Sequence, residues 1–147
     1  MHFKRAFLRI IIPSVALLLT GCSSFNRDWR AAANYPAPAG DLQGAWTGVW
    51  VSETTHHTDK LRCLITKTEA AIYQARFRAK YRHVLTFNYT VPLTVERVSD
   101  GFAFKGEADL GKLAGGVYHY EGHANQTDFF STYSSRYDHG TFQMHRP

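Results

Sequence analysis

Cysteine is scarce in this 147-residue chain, which holds only Cys22 and Cys63, so a framework of several disulfides is excluded. No stretch reaches the about 20 consecutive apolar residues that a helix needs to cross a bilayer; the longest, Ile10 to Leu19, falls well short and contains Pro13. There is no internal repeat and no Gly-x-Ser-x-Gly turn of the kind that presents a nucleophilic serine. An excess of one charge is also missing. The 17 Lys and Arg stand against 12 Asp and Glu, and Lys4, Arg5 and Arg9 fall within the first 21 residues, which leaves 14 against 12, a net charge of +2, for the rest. That balance gives no basis for nucleic-acid binding.

What the N-terminus does contain is ordered. Lys4, Arg5 and Arg9 precede the short apolar run, the arrangement of a secretory signal. The run ends in Leu19-Thr20-Gly21-Cys22, which resembles the lipobox of bacterial lipoproteins. The resemblance implies that residues 1–21 are removed and that the Cys22 thiol receives diacylglycerol, making the membrane a partner through lipid. Ser23 after the cysteine, rather than Asp, implies the outer membrane, facing the periplasm, in a host with two membranes. Cys63 is then the one remaining thiol, and its place between Leu61 and Ile65 predicts a buried core residue rather than a reactive one.

From residue 22 to 41 the chain is polar and Ala/Pro-rich and reads as a flexible tether, with Phe25, Trp29 and Tyr35 free to lie on lipid or on the domain. Residues 42–147 make one domain. Period-two alternation dominates it. Ala71, Tyr73, Ala75, Phe77, Ala79 and Tyr81 oppose a largely charged face that includes Arg76, Arg78, Lys80 and Arg82, and Leu85, Phe87, Tyr89, Val91, Leu93 and Val95 alternate in the same way. Eight strands are predicted, at about 43–52, 60–67, 71–82, 83–98, 101–109, 115–124, 127–134 and 139–146, with turn residues between them. A meander with one apolar face hides that face by closing, so the expected fold is all-β, an eight-stranded antiparallel up-and-down barrel; a two-sheet sandwich is the alternative.

Gly44-Ala45-Trp46 on the first strand and Arg146 after the last resemble the calycin barrels, the lipocalins, fatty-acid-binding proteins and avidins. In many of these a late arginine packs across that tryptophan and closes one end. The pattern Gly44-Ala45-Trp46-Thr47-Gly48-Val49-Trp50, with Gly140-Thr141-Phe142 near the end, is similar to small lipid-anchored barrel proteins of bacterial envelopes. The resemblance implies location and shape, and no reaction.

The predicted interior is lined by large side chains, among them Leu61, Ile65, Tyr81, Leu85, Phe104, Tyr120, Phe142 and Met144. Eight strands leave room to be filled by side chains or to hold one small ligand. If a ligand enters, the candidate contacts are Trp46, Trp50, Tyr73, Phe77, Phe87, Tyr89, Tyr118 and Arg146. His56-His57 reads as an exposed loop, and His119 and His123, four apart on a strand, stand about 13 Å from each other, so no metal site is expected. Ser134, Ser135, Asp138 and His139 carry the letters of a triad but read as a hairpin turn. No catalytic residue and no cofactor is expected. The first function expected is a non-enzymatic carrier of a small apolar or amphipathic ligand; the alternative is a protein-interaction, inhibitor or structural module that acts on an envelope protein through its outer surface. The first calls for a hollow interior, and the second for a filled one with an exposed apolar patch, for which Trp29, Tyr133 and Tyr137 are candidates.

Overall fold

The computed structural model describes residues 20–147; the predicted export signal up to Leu19 and the side chains of residues 20–23, that of Cys22 among them, lie outside what is described. The alternating segments form eight strands: β1 (Gly44–Ser52), β2 (Thr58–Lys67), β3 (Ile72–Tyr81), β4 (Leu85–Val98), β5 (Gly101–Asp109), β6 (Val117–Ala124), β7 (Asp128–Ser134) and β8 (His139–His145). Each pairs antiparallel with its neighbours in sequence, and β1 also pairs with β8, with Gly48 opposite Met144 and Trp50 opposite Phe142. The barrel is therefore closed and up-and-down, and the sandwich is excluded. Every strand pairs on both sides, although β4 meets β5 only from Leu93 to Val98.

Two ends result. At the lower end lie the start of β1 and the turns β2–β3, β4–β5 and β6–β7. The upper end carries the connections β1–β2, β3–β4, β5–β6, with a 3₁₀ turn at Lys112–Ala114, and β7–β8. Alternate residues point inward and pack into one core that includes Trp46, Leu61, Cys63, Ile65, Phe77, Val91, Leu93, Phe104, Phe129 and Phe142. Cys63 is fully buried, and burial pushes its thiol pKa well up, so it stays an unreactive core residue. Pro92 falls on the outward side of β4.

Three expectations are corrected. Residues 22–33, read as part of a flexible tether, lie in helix α1 (Thr20–Ala33) on the outer wall of β1 and β2. Phe25 and Trp29, four residues apart, share one helical face. That face has a partner: outward-facing Ala45 and Leu64 are buried together with Phe25, and the Trp29 indole donates to the Trp46 carbonyl at 3.1 Å. Asp28 pairs with Arg76 at 3.1 Å, and its bonds from Arg76 and then Arg27 hold the carboxyl below its ordinary pKa. The basic row of β3 is thus partly covered, with the guanidinium groups of Arg76 and Arg78 5.6 and 6.0 Å from the Phe25 ring.

Second, Leu85 and Phe87 are not interior; they are 54 % and 50 % exposed. Their alternation continues that of Tyr89 and Val91, but the top of β4 rises past the rim, where there is no opposite wall to cover them. Third, Tyr133 is buried, and its hydroxyl donates inward. Trp29 is covered by Arg62, whose guanidinium stands 4.8 Å from the indole. Of the three patch candidates only Tyr137 is strongly exposed.

Candidate functional site

The lower end is sealed. Trp46 is fully buried and donates its indole N–H to the Leu42 carbonyl at 3.0 Å. Arg146 lies across its other side, 3.9 Å from the ring centre, the packing that the calycin resemblance implies. The same guanidinium donates to the carbonyls of Gln43 at 2.7 Å and Asp41 at 3.1 Å, gathering the strand that enters β1. Burial lowers the Arg146 pKa to about 10, while the Asp41 charge acts the other way; the group remains a cation at neutral pH. Gly44 makes this approach possible. Its φ of +113° disfavours other residues, and a Cβ there would stand 2.8 Å from the Arg146 Nη1. Tyr73 is buried nearby, with the Lys67 ammonium 5.5 Å from its ring.

The middle is filled with rings. Phe77 sits 5.3 Å from Tyr89, 6.3 Å from Tyr120 and 5.2 Å from Phe142. Tyr133 adds to this group, 5.0 Å from Phe142 and 6.1 Å from Tyr118. Burial raises the pKa values of Tyr89, Tyr120 and Tyr133, so all three remain neutral donors. The Tyr133 hydroxyl donates toward the Val51 carbonyl and Asp138, and Ser52 donates to Asp138 at 2.6 Å. Three concavities of about 550, 380 and 610 Å³ lie elsewhere: on the outer wall of β4–β7, beneath the lower end beside Pro36 and Arg146, and between the β5–β6 and β7–β8 connections.

At the upper end Trp50 is half-buried, donates to the Lys80 carbonyl at 2.7 Å and stacks at 6.2 Å on Tyr81. Tyr89 and Tyr118 are also half-buried there. Above them the β3–β4 turn holds Arg82 and His83 at positive φ, 50° and 61°, a conformation unfavourable for side chains of this size. Asp59 stabilises it. This carboxylate, at the inward end of β2, accepts the His83 amide at 2.9 Å and the Lys60 amide at 2.7 Å, with the His83 and His57 rings 3.4 and 3.7 Å away. Burial alone would raise its pKa, but the two amides and the neighbouring imidazoles outweigh burial and leave it below the ordinary value.

Of the eight expected ligand contacts, Phe77 lies in the aromatic middle with Tyr89 and Tyr118 at its upper edge, Trp46, Tyr73 and Arg146 belong to the sealed end, and Trp50 and Phe87 lie at the rim. They do not line one cavity. Asp59 reads as a loop residue in the sequence, although extending the alternation of Leu61 and Ile65 by one step points it inward. The triad letters separate: Asp138 serves Ser52 and Tyr133, while His139 faces Thr54 at 3.2 Å and Glu53 at 3.4 Å. His119 pairs with Glu107 at 3.1 Å and His123 packs on Phe130. Among the described residues no three His, Cys, Asp or Glu side chains converge on a metal position.

The upper rim also differs from the rest of the surface. Of the eight large hydrophobic side chains exposed among the described residues, Val84, Leu85, Phe87, Leu113, Val117 and Tyr137 lie at this end, and only Tyr35 and Val98 lie elsewhere. No family model matches the chain, and neither a curated protein nor a solved structure matches it at a significant level. The calycin likeness therefore rests on the closed barrel and on the Trp46–Arg146 pair.

Proposed function

We propose that the chain is a non-enzymatic, lipid-anchored protein of the bacterial cell envelope, held to the membrane by diacylglycerol on Cys22 and acting through the outer surface of a solid barrel. In a host with two membranes it stands on the outer membrane, facing the periplasm. The observation that carries the choice of surface over interior is the pairing of a core filled by Phe77, Tyr120, Phe142 and their neighbours with the concentration of exposed apolar side chains at one end. Exposed apolar side chains gathered at one end suit a binding role.

The half-buried Trp50, Tyr89 and Tyr118 favour a second reading, in which a small amphipathic molecule docks in the mouth of the barrel. A fluorescent fatty-acid probe titrated into the purified protein separates the two. The outer-surface reading expects no saturable binding; saturable binding lost in a folded Tyr118→Arg variant would move the function to a carrier. The anchor is tested by the intact mass of the protein recovered from bacterial membranes. Loss of residues 1–21 with added diacylglycerol is expected, and a mature chain whose Cys22 carries no lipid would remove the tether.

A further inference from the structure

We propose that the tip of the β3–β4 hairpin is a second membrane contact, which seats the upper end of the barrel on an anionic lipid surface beside Cys22. The inference rests on the anchored reading above and names the partner of its exposed end.

Composition is the first support. From Ala71 to Val95 there is no Asp or Glu, while Arg76, Arg78, Lys80, Arg82 and His83 all lie in this span. Arg76 is engaged by Asp28, which leaves the basic groups nearest the tip, Lys80 and Arg82, flanking Val84, Leu85 and Phe87. Apolar side chains set beside Lys80 and Arg82 suit the boundary between acyl chains and anionic headgroups. Each basic group near such a surface contributes about 1 kcal/mol, and buried apolar area adds to it.

The second support is the direction of α1. Its C-terminal residues lie by the lower end, where Ala32 and Ala33 share a concavity with Gly44 and Ala45. Trp29 is next, at Trp46 and Arg62, and then Phe25 over Arg76 and Arg78 in β3. The helix thus crosses from β1 over β2 to the middle of β3 as it approaches its N-terminus. Cys22 is three residues beyond Phe25, about 4.5 Å along the axis, and Arg82 is four residues above Arg78, about 13 Å along the strand. The N-terminal part of α1 therefore lies over the strand that leads to the hairpin tip, which lets a lipid on Cys22 and the tip serve one bilayer.

Third, the tip is pre-organised. Asp59 fixes the His83 amide, and the His57 ring accepts from the Arg82 amide at 3.4 Å, so the exposed side chains stand on a held turn. Little ordering remains to oppose binding.

The test uses the processed full-length protein reconstituted in phosphatidylcholine vesicles containing phosphatidylglycerol. An environment-sensitive fluorophore is placed on Val84→Cys or, as a control at the other end, on Tyr35→Cys; both positions are exposed, whereas Cys63 is fully buried. At position 84 the emission is expected to shift to the blue and to be quenched several-fold more by acyl-chain nitroxide lipids than at position 35. Leu85→Asp with Phe87→Asp should abolish the difference, with an unchanged circular dichroism spectrum as the folding control. Equal, water-like emission at 84 and 35 in a chain whose mass includes diacylglycerol would overturn the hairpin contact and leave the anchor standing. A chain without lipid whose label at 84 still enters the acyl region would overturn the anchor and leave the hairpin contact.

Discussion

The two ends of this barrel solve opposite problems. At the lower end Trp46, Leu42 and Arg146 bury one another, and the guanidinium satisfies the carbonyls of Asp41 and Gln43, so the end is closed by mutual packing. At the upper end the strands of one hairpin outrun the wall and leave Val84, Leu85 and Phe87 in the open. The difference teaches that the same apolar alternation stabilises the fold only where an opposite wall exists. Beyond the rim it contributes little to stability and is available for binding.

Substitutions can break or sharpen this contrast. The largest effect is expected from Trp46→Ala, which opens a cavity in the core and removes the surface on which Arg146 rests; a loss of about 3–5 kcal/mol should appear in urea unfolding. Arg146→Ala follows, at about 2 kcal/mol, because two carbonyls lose their donor and the ring loses its cation. Arg146→Lys should restore only part of it, since an ammonium cannot reproduce the fork of a guanidinium.

At the upper end Asp59→Ala leaves two amides without an acceptor, and about 1.5 kcal/mol is expected at neutral pH. Because the folded pKa of Asp59 lies below its unfolded value, its stabilisation is present above about pH 4 and is lost as the pH falls through the folded value. The variant should therefore show a shallower loss of stability in acid, as measured by denaturation between pH 6 and about pH 2. The smallest effect belongs to Phe87→Ser, within about 0.5 kcal/mol, as for other exposed positions. A loss there as large as that of Trp46→Ala would erase the distinction between the ends.

Most of the fold is legible in the sequence because each strand writes its own period. The run from Ala71 to Tyr81 has one apolar and one charged face, and its observed register matches that pattern. The seal is legible too, in Gly44-Ala45-Trp46 and Arg146. What alternation cannot encode is height along the barrel axis: Leu85 and Phe87 share the parity of Tyr89, and only the register with β3 reveals that they stand above the rim. The helix is hidden for a related reason. In residues 20–33 Phe25 and Trp29 stand among polar and charged neighbours such as Asn26, Arg27, Asp28 and Arg30, so no continuous apolar stripe marks a helix, and their four-residue spacing becomes informative only once Ala45 and Leu64 supply a partner surface. Tyr133 reads as surface because the alternation of Phe129, Ser131 and Tyr133 is interrupted by a small polar residue.

The central claim is that the upper end faces the membrane. Hydrogen–deuterium exchange of the processed protein, free in detergent and bound to anionic vesicles, tests it most directly. The account predicts slower exchange on vesicles for the amides from residue 82 to 86, with those of residues 68–71 and 99–100 at the lower end unchanged. Protection confined to the lower turns, with none at the hairpin tip, would contradict it.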